Sequence, residues 1–347
     1  MPVPAPSPDA RAVVTGASQN IGEALATELA ARGHHLIITA RREEVLTSLA
    51  QRLTERYGVT VEVRAVDLTD PAARATLCDE LAEREISILC ANAGTATFGA
   101  VKDLDPAGEK AQVQLNVLGV HDLVLAVLPG MVARRAGGIL ISGSAAGNSP
   151  IPNNATYAAS KAFANTFSES LRGELTGVGV HVTLLAPGPV RTELPDPSEQ
   201  SLVERLIPDF LWIDTEYTAK LSLDGLEHNK MRVVPGVTSK AMSVASGYAP
   251  RAIVTPVMNV AACVGSMQIG VVGSAPEQTT AWRVCALAVL TLIAPWPQTV
   301  TTRFLGSSGL GSMNVAQKSS FTPRTMCSSS SESYGAFFRR YGFGKRA

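Results

Sequence analysis

Cysteine and aromatic residues are sparse in this chain, with five cysteines and 5% Phe, Trp and Tyr among 347 residues. Cys78, Cys90, Cys263, Cys285 and Cys327 are odd in number and form no CxxC pair. That argues against a disulfide framework and against a thiolate metal site, so no metal is expected and a reducing cytoplasm is the expected setting. An excess of charge of one sign is also missing: 30 Lys and Arg stand against 30 Asp and Glu. Bulk charge therefore does not suggest a nucleic-acid binder, and none is expected as a partner. The apolar run Val284–Ala294 has 11 residues, short of the roughly 18 to 20 that cross a bilayer. No transmembrane segment is expected. The opening residues MPVPAPSPDA lack the basic start and apolar run of a secretory leader. With proline at positions 2, 4, 6 and 8, residues 1–10 read as a short extended arm.

What is present begins with a hydrophobic fraction of 46%, ample for a buried core. The charge is unevenly placed. Residues 259–347 hold 8 basic and 2 acidic side chains, which leaves 22 basic and 28 acidic in 1–258. The first part carries −6 and the last part +6, so the two have different character.

From Arg11 to Val190, short β-branched runs alternate with longer stretches of helical spacing. Strands are expected at Ala12–Thr15, Leu36–Thr39, Thr60–Val66, Ile86–Ala91, Gly138–Ser142 and His181–Leu185. Helices are expected near 21–32, 43–57, 71–84, 107–135 and 154–176. Strands that are almost wholly apolar, separated by helices, imply a parallel sheet covered on both faces. Right-handed crossovers make it a doubly wound, Rossmann-like α/β sheet in a single domain. Five prolines between 187 and 208 suggest a loop or lid. A helix near 216–228 and a strand at 231–234 are expected to close the sheet, with Leu223, Leu226 and Met231 facing inward. From residue 259 no helical or strand period is sustained, and residues 259–347 read as an atypical, poorly ordered tail.

The chemistry-bearing residues lie at the expected strand ends. TGASQNIG, Thr15–Gly22, follows the first strand and opens the first helix. Glycines there let backbone approach a pyrophosphate, and the helix N-terminus favours its charge. Alone, such a turn is a weak signal, which an ordinary strand-to-helix connection would also give. Asp67 follows the third strand and Asn92-Ala93-Gly94 the fourth. Tyr157 lies thirteen residues after Ser144, and Lys161 follows at i+4, on the same helix face. A tyrosine ordinarily titrates near 10. An ammonium beside it lowers that value and makes it a usable proton donor near neutrality. A lone YxxxK is more commonly a surface helix pair.

Taken together, the order TGASQNIG, NAG, Asn116, Ser144, YxxxK and Pro187-Gly188 resembles the short-chain dehydrogenase/reductase family over about residues 11–236. The resemblance implies that Tyr157 is the catalytic acid and that Lys161 lowers its pKa and holds the nicotinamide ribose. Ser144 would hydrogen-bond the substrate carbonyl, and Asn116 would support a water relay to Lys161. Ser142 is the rival for Ser144, and the thirteen-residue gap favours the latter. Gly16, Ser18, Asn20, Ile21, Gly22, Asp67, Asn92, Gly94, Tyr157, Lys161, Pro187, Gly188, Val190 and Thr192 would contact the cofactor. Asn20 stands where the family usually has a glycine, a substitution that left-handed backbone tolerates.

At the end of the second strand, NAD-binding members usually carry an acidic residue, whereas this chain has Ala40-Arg41-Arg42. A guanidinium suits the 2′-phosphate of NADP(H), and Arg41 is the expected contact. The plainer reading is that both arginines start the next helix. The apolar stretch Leu202–Ile213 either lines a channel for an acyl chain or packs a lid onto the domain. The segment VVPGVTSKAMSVASGYAPRAIVTPVM, with the domain before it, resembles the β-keto acyl reductases that act on mycolate precursors in mycolic-acid-making bacteria. That resemblance covers 1–258 and implies a lipid-like, long, α-branched acyl substrate in lipid metabolism. The alternatives are a reductase of smaller ketones or alcohols and a non-catalytic nucleotide sensor. Joint retention of Ser144, Tyr157 and Lys161 argues against the sensor. A homo-oligomer is expected. The tail reads as an appended segment, a shifted reading frame being one origin. Its rivals are a dimer-capping extension and a membrane-surface contact through Val284–Ala294 and Arg339–Arg346.

Overall fold

The computed structural model describes residues 3–188, 190, 212–236, 240, 300–306 and 309–315. The chain divides into a unit over Met1–Thr255 and another over Pro256–Ala347.

The first unit alternates strand and helix as expected. Its elements begin β1 (Arg11–Thr15), α1 (Asn20–Ala31), β2 (Leu36–Ala40), α2 (Glu43–Tyr57), β3 (Val61–Ala65), α3 (Pro71–Ala82) and β4 (Ile86–Ala91). They continue α4 (Pro106–Val113), α5 (Val120–Arg134), β5 (Gly137–Ser142), α6 (Ala155–Glu174), β6 (Val180–Leu185), α7 (Thr215–Glu227) and β7 (Arg232–Val233). All pairings among the seven strands are parallel, in the order β3-β2-β1-β4-β5-β6-β7. The order reverses between β1 and β4. In such sheets the carboxyl edge at that switch point is where ligands sit.

Burial explains which runs became inner strands. ISILCA of β4, GGILIS of β5 and VHVTLL of β6 are buried at every position. Leu25, Leu29, Leu46, Leu49, Leu223 and Leu226 cover one face. Leu77, Leu81, Leu123, Val127 and Leu171 cover the other. The edge strand β3, VEVRA, has no buried residue and carries charges instead. Arg84 and Arg11 both bond Glu62, at 2.7 and 2.8 Å, and Arg64 pairs with Glu80 at 2.6 Å. Hydrogen bonds from Arg84, ahead of that from Arg11, hold the Glu62 carboxyl down at about 2.

Three expectations need correction. The helix expected at 107–135 is not uniform: α4 and α5 are joined by a π-helical segment, Gln114–Gly119, which contains Asn116. By length and composition Pro106–Arg134 would suffice to cross a bilayer. Yet Val120, Leu123, Val124, Val127 and Met131 are buried in the core with β4 and β5 residues, the mark of a core helix. Met231 is half exposed rather than inward, because it lies in a bend before β7 begins. Its carbonyl accepts from Leu184, and Val233 supplies the buried side chain. Finally, the tail contains an antiparallel pair, β8 (Val300–Gly306) and β9 (Gly309–Val315), in register from Val300↔Val315 to Gly306↔Gly309. Frequent Gly and Thr hid its alternation in the sequence.

Candidate active site

The glycine-rich turn occupies the carboxyl end of β1. Gly16 has φ 69° and Asn20 φ 54°, so the asparagine adopts the left-handed conformation its presence in the turn requires. A Cβ at Gly22 would stand 2.0 Å from the Gly16 carbonyl oxygen, so only glycine lets α1 approach its own turn this closely. The N-cap residue Gln19 makes no side-chain cap bond, and a helix N-terminus beside such a turn favours a bound anion. Ser18 and Ile21 lie in the same turn.

Thr15 ties this turn to the end of β4. Its hydroxyl accepts from the amides of Asn92 (3.0 Å) and Ala93 (2.9 Å). The Asn92 side-chain Nδ2 donates to the Thr15 carbonyl, and its Oδ1 accepts from Ser142 Oγ at 3.0 Å. Ser142 is therefore committed to Asn92, which leaves Ser144 as the serine beside Tyr157. A Cβ at Gly94 would lie 3.2 Å from Lys161 Nζ and 3.3 Å from Asn116 Oδ1. Gly94, Asn116 and Lys161 thus share one corner.

α6 carries Tyr157 and Lys161 one turn apart, with Lys161 Nζ 5.8 Å from the Tyr157 ring centre. Lys161 is buried and donates to the Ser142 carbonyl at 2.8 Å. Burial brings its ammonium down to about 8. Burial likewise raises the Tyr157 phenol, and a hydrogen bond with Ser144 works the other way. Burial outweighs the Ser144 interaction, and it is Ser144 rather than Lys161 that acts downward on the phenol.

Asn116, on the π-helical segment, is fully occupied. Its side chain donates to the Thr95 carbonyl (2.9 Å) and Ser160 Oγ (3.0 Å) and accepts from the Thr95 amide (3.0 Å). It fixes the loop after Gly94 to α6. Pro187 accepts from the Ala145 amide at 3.1 Å, which places Pro187-Gly188 beside the Ser144 loop. Val190 bridges Ile213. Thr192, Leu202, Val203, Leu206, Ile207, Phe210 and Leu211 lie outside the described residues, as do Val284–Ala294 and the basic end of the chain.

Asp67 accepts from the amide and hydroxyl of Thr69. Burial pushes its carboxyl up, but Thr69 and the nearby Arg41 charge outweigh this and leave it below its usual range. Arg41 is exposed. The sequence reading weighed Arg42 beside Arg41 and chose Arg41; the Arg42 guanidinium reaches Ser18 Oγ (3.2 Å), the Ser18 carbonyl (3.1 Å) and Gln19 Oε1 (2.7 Å).

It missed Asn165. This buried side chain accepts from the Ser144 amide (3.3 Å) and donates to the Ser144 carbonyl (3.0 Å), holding Ser144 by its backbone. Asn165 is four residues beyond Lys161, so the i+4 spacing that singled out Lys161 also points to it. A separate cleft of about 440 Å³, lined by Val113, Val117, Ala155, Thr156, Ala159 and Ser160, does not include Tyr157 or Lys161.

The arrangement offers a Gly-rich turn open to phosphate, a paired hydroxyl donor and a buried ammonium on one sheet edge. Comparison with known proteins agrees. A family model described as short chain dehydrogenase matches residues 10–202. Sulfoacetaldehyde reductase 2 of Chromohalobacter salexigens is 40% identical over 185 residues, 52% of this chain and 73% of the relative. The very-long-chain 3-oxoacyl-CoA reductase of Anas platyrhynchos is 37% identical over 205 residues, 56% of this chain. The aligned part spans only 64% of that relative's length. A short-chain dehydrogenase from Sphingobium yanoikuyae, solved in complex with NADPH, superposes with a TM-score of 0.61 and 31% identity. The match covers 68% of this chain and 91% of that one.

Proposed function

The chain belongs to the short-chain dehydrogenase family, and from that premise we propose that it reduces the β-keto group of long, α-branched acyl substrates to the hydroxyl. It is an NADP(H)-dependent oxidoreductase of that family. The observation that carries the reading is the joint placement of Tyr157, Lys161 and Ser144, with Ser144 held by Asn165.

The residues present fit the cofactor. The left-handed Asn20, the close Gly22 approach and the start of α1 at this turn suit a pyrophosphate beside Gly16, Ser18 and Ile21. Arg41 would take the 2′-phosphate, with Asp67, Asn92, Gly94, Pro187, Gly188, Val190 and Thr192 along the rest. When bound, NADPH supplies a hydride to the keto carbon. Tyr157 donates its phenolic proton to the keto oxygen, so the carbonyl gains one hydride and one proton. Ser144 hydrogen-bonds that oxygen and orients it. The Lys161 ammonium would hold the ribose and stabilises the phenolate left behind. Asn116, through Thr95 and Ser160, keeps the relay corner fixed.

The long acyl substrate is supported by the very-long-chain 3-oxoacyl-CoA reductase likeness and by the mycolate-type resemblance of residues 1–258. The 40% identical sulfoacetaldehyde reductase favours the second reading, a reductase of small carbonyl compounds. We also propose a homo-oligomer joined through a second copy at Leu118, Leu125 and Val132, exposed apolar residues seven apart along one helical run. The test of substrate is to follow NADPH absorbance with β-keto esters of rising chain length, with and without an α-branch. Turnover efficiency is expected to rise with length and branching. Preference for a small polar ketone would remove the mycolate-type reading and leave the reductase intact.

A further inference from the structure

We propose that Glu109 is a positioning residue, joining the loop after β4 to the first turn of α6 so that Tyr157 stands correctly against the cofactor edge. The inference rests on the reading of Tyr157 as the proton donor.

The loop after Gly94 is anchored at every second residue. Asn116 holds both backbone groups of Thr95. Gln112 Oε1 accepts from the Thr97 amide at 2.6 Å. The Gly99 amide donates to the Asn153 carbonyl at 2.8 Å. At the middle anchor the Thr97 hydroxyl also bonds one Glu109 carboxylate oxygen, while the other oxygen accepts from the Thr156 hydroxyl. One carboxylate therefore spans two segments that meet nowhere in sequence. One begins with Asn92 and Gly94. The other carries Tyr157 immediately after Thr156.

The first turn of α6 needs an outside hold. Its N-cap, Asn154, makes no side-chain cap bond. The first turn of a helix leaves unpaired amides and favours a nearby negative charge. Glu109, on α4, supplies the charge, and Thr156 supplies the link. The two hydroxyls, Thr156 first, keep the carboxyl below its usual range, so it accepts from both at neutral pH. Proton and hydride transfer depend steeply on geometry, and a misplacement of about 1 Å costs on the order of a hundredfold. A hold on Tyr157 thus bears on the chemical step more than on cofactor affinity, because the phosphate contacts are assigned to the turn after β1 and to Arg41, which Glu109 does not touch.

The test compares Thr156→Val, Thr156→Ser, Glu109→Gln and Tyr157→Phe in the full chain, with NADPH and an α-alkyl β-keto ethyl ester. Thr156→Val and Glu109→Gln are expected to lower kcat about tenfold or more. NADPH Kd, read by fluorescence, should stay within about twofold, and Thr156→Ser should restore kcat because it restores the hydroxyl. A kcat for Thr156→Val within twofold of the parent, or equal losses in the Ser and Val variants, overturns the inference. If Glu109→Gln does not fold, the two Thr156 variants still decide. Loss of activity in Tyr157→Phe beside an unaffected Thr156→Val rejects the Glu109 role alone. Retained activity in Tyr157→Phe rejects the catalytic reading beneath it.

Discussion

Tyr157, Arg41 and Glu62 give three tests at the scale of the single residue. Tyr157→Phe removes the proton donor and keeps the ring. Reductase turnover should fall on the order of 10²- to 10⁴-fold, while NADPH binding persists, as stopped-flow and fluorescence titration would show. Arg41→Ala should weaken NADPH far more than NADH, by roughly 1.5 to 3 kcal/mol for a charge-assisted contact. Titration of both cofactors checks this, and equal losses would reassign the phosphate. Arg42→Ala belongs in the same experiment, because Arg42 already reaches Ser18 and Gln19. Glu62 concerns stability. Its folded pKa, about 2, lies below the ordinary 4.5. Its contribution is therefore complete above about 4.5 and is lost as pH falls toward 2. Thermal melts from pH 6 to 2.5 should fall more steeply for the parent than for Glu62→Gln. The YxxxK spacing made Tyr157 and Lys161 legible, and the tolerance of asparagine for left-handed backbone anticipated Asn20. The contacts of Arg42 with Ser18 and of Asn165 with Ser144 were not legible, because they join residues distant in sequence.

Elements were read from periodicity, and periodicity has limits that this sheet displays. The wholly apolar runs of β4, β5 and β6 announced themselves because each is covered on both faces. The π-helical segment did not, since one extra residue per turn leaves the apolar pattern of 106–134 looking continuous. Met231 was misread because a strand's period was extended one residue into a bend. The exposed apolar residues Leu118, Leu125 and Val132 bear on assembly. Leu125→Asp should leave the melting curve of the subunit largely intact and shift the protein to a smaller species in sedimentation velocity. An unchanged sedimentation coefficient would remove this helix from the proposed contact.

At the scale of the whole molecule, the change in charge sign after residue 258 supports the proposal that 259–347 is appended to the catalytic unit. A chain ending at residue 262 should melt within a few degrees of the full protein and turn over substrate equally. A large drop in either would return the tail to the enzyme. The antiparallel pair β8–β9 shows that backbone pairing occurs there without the alternation seen in 11–190. The buried Lys161 ammonium, depressed to about 8 and donating to the Ser142 carbonyl, reaches beyond catalysis. Near pH 8 a fraction of molecules carries this lysine neutral. Docking a polyanion beside it favours the charged form, so the equilibrium draws a proton from solvent. Cofactor capture then has a buffer-dependent heat: calorimetric enthalpies in Tris and in phosphate should diverge at pH 8 and converge at pH 6.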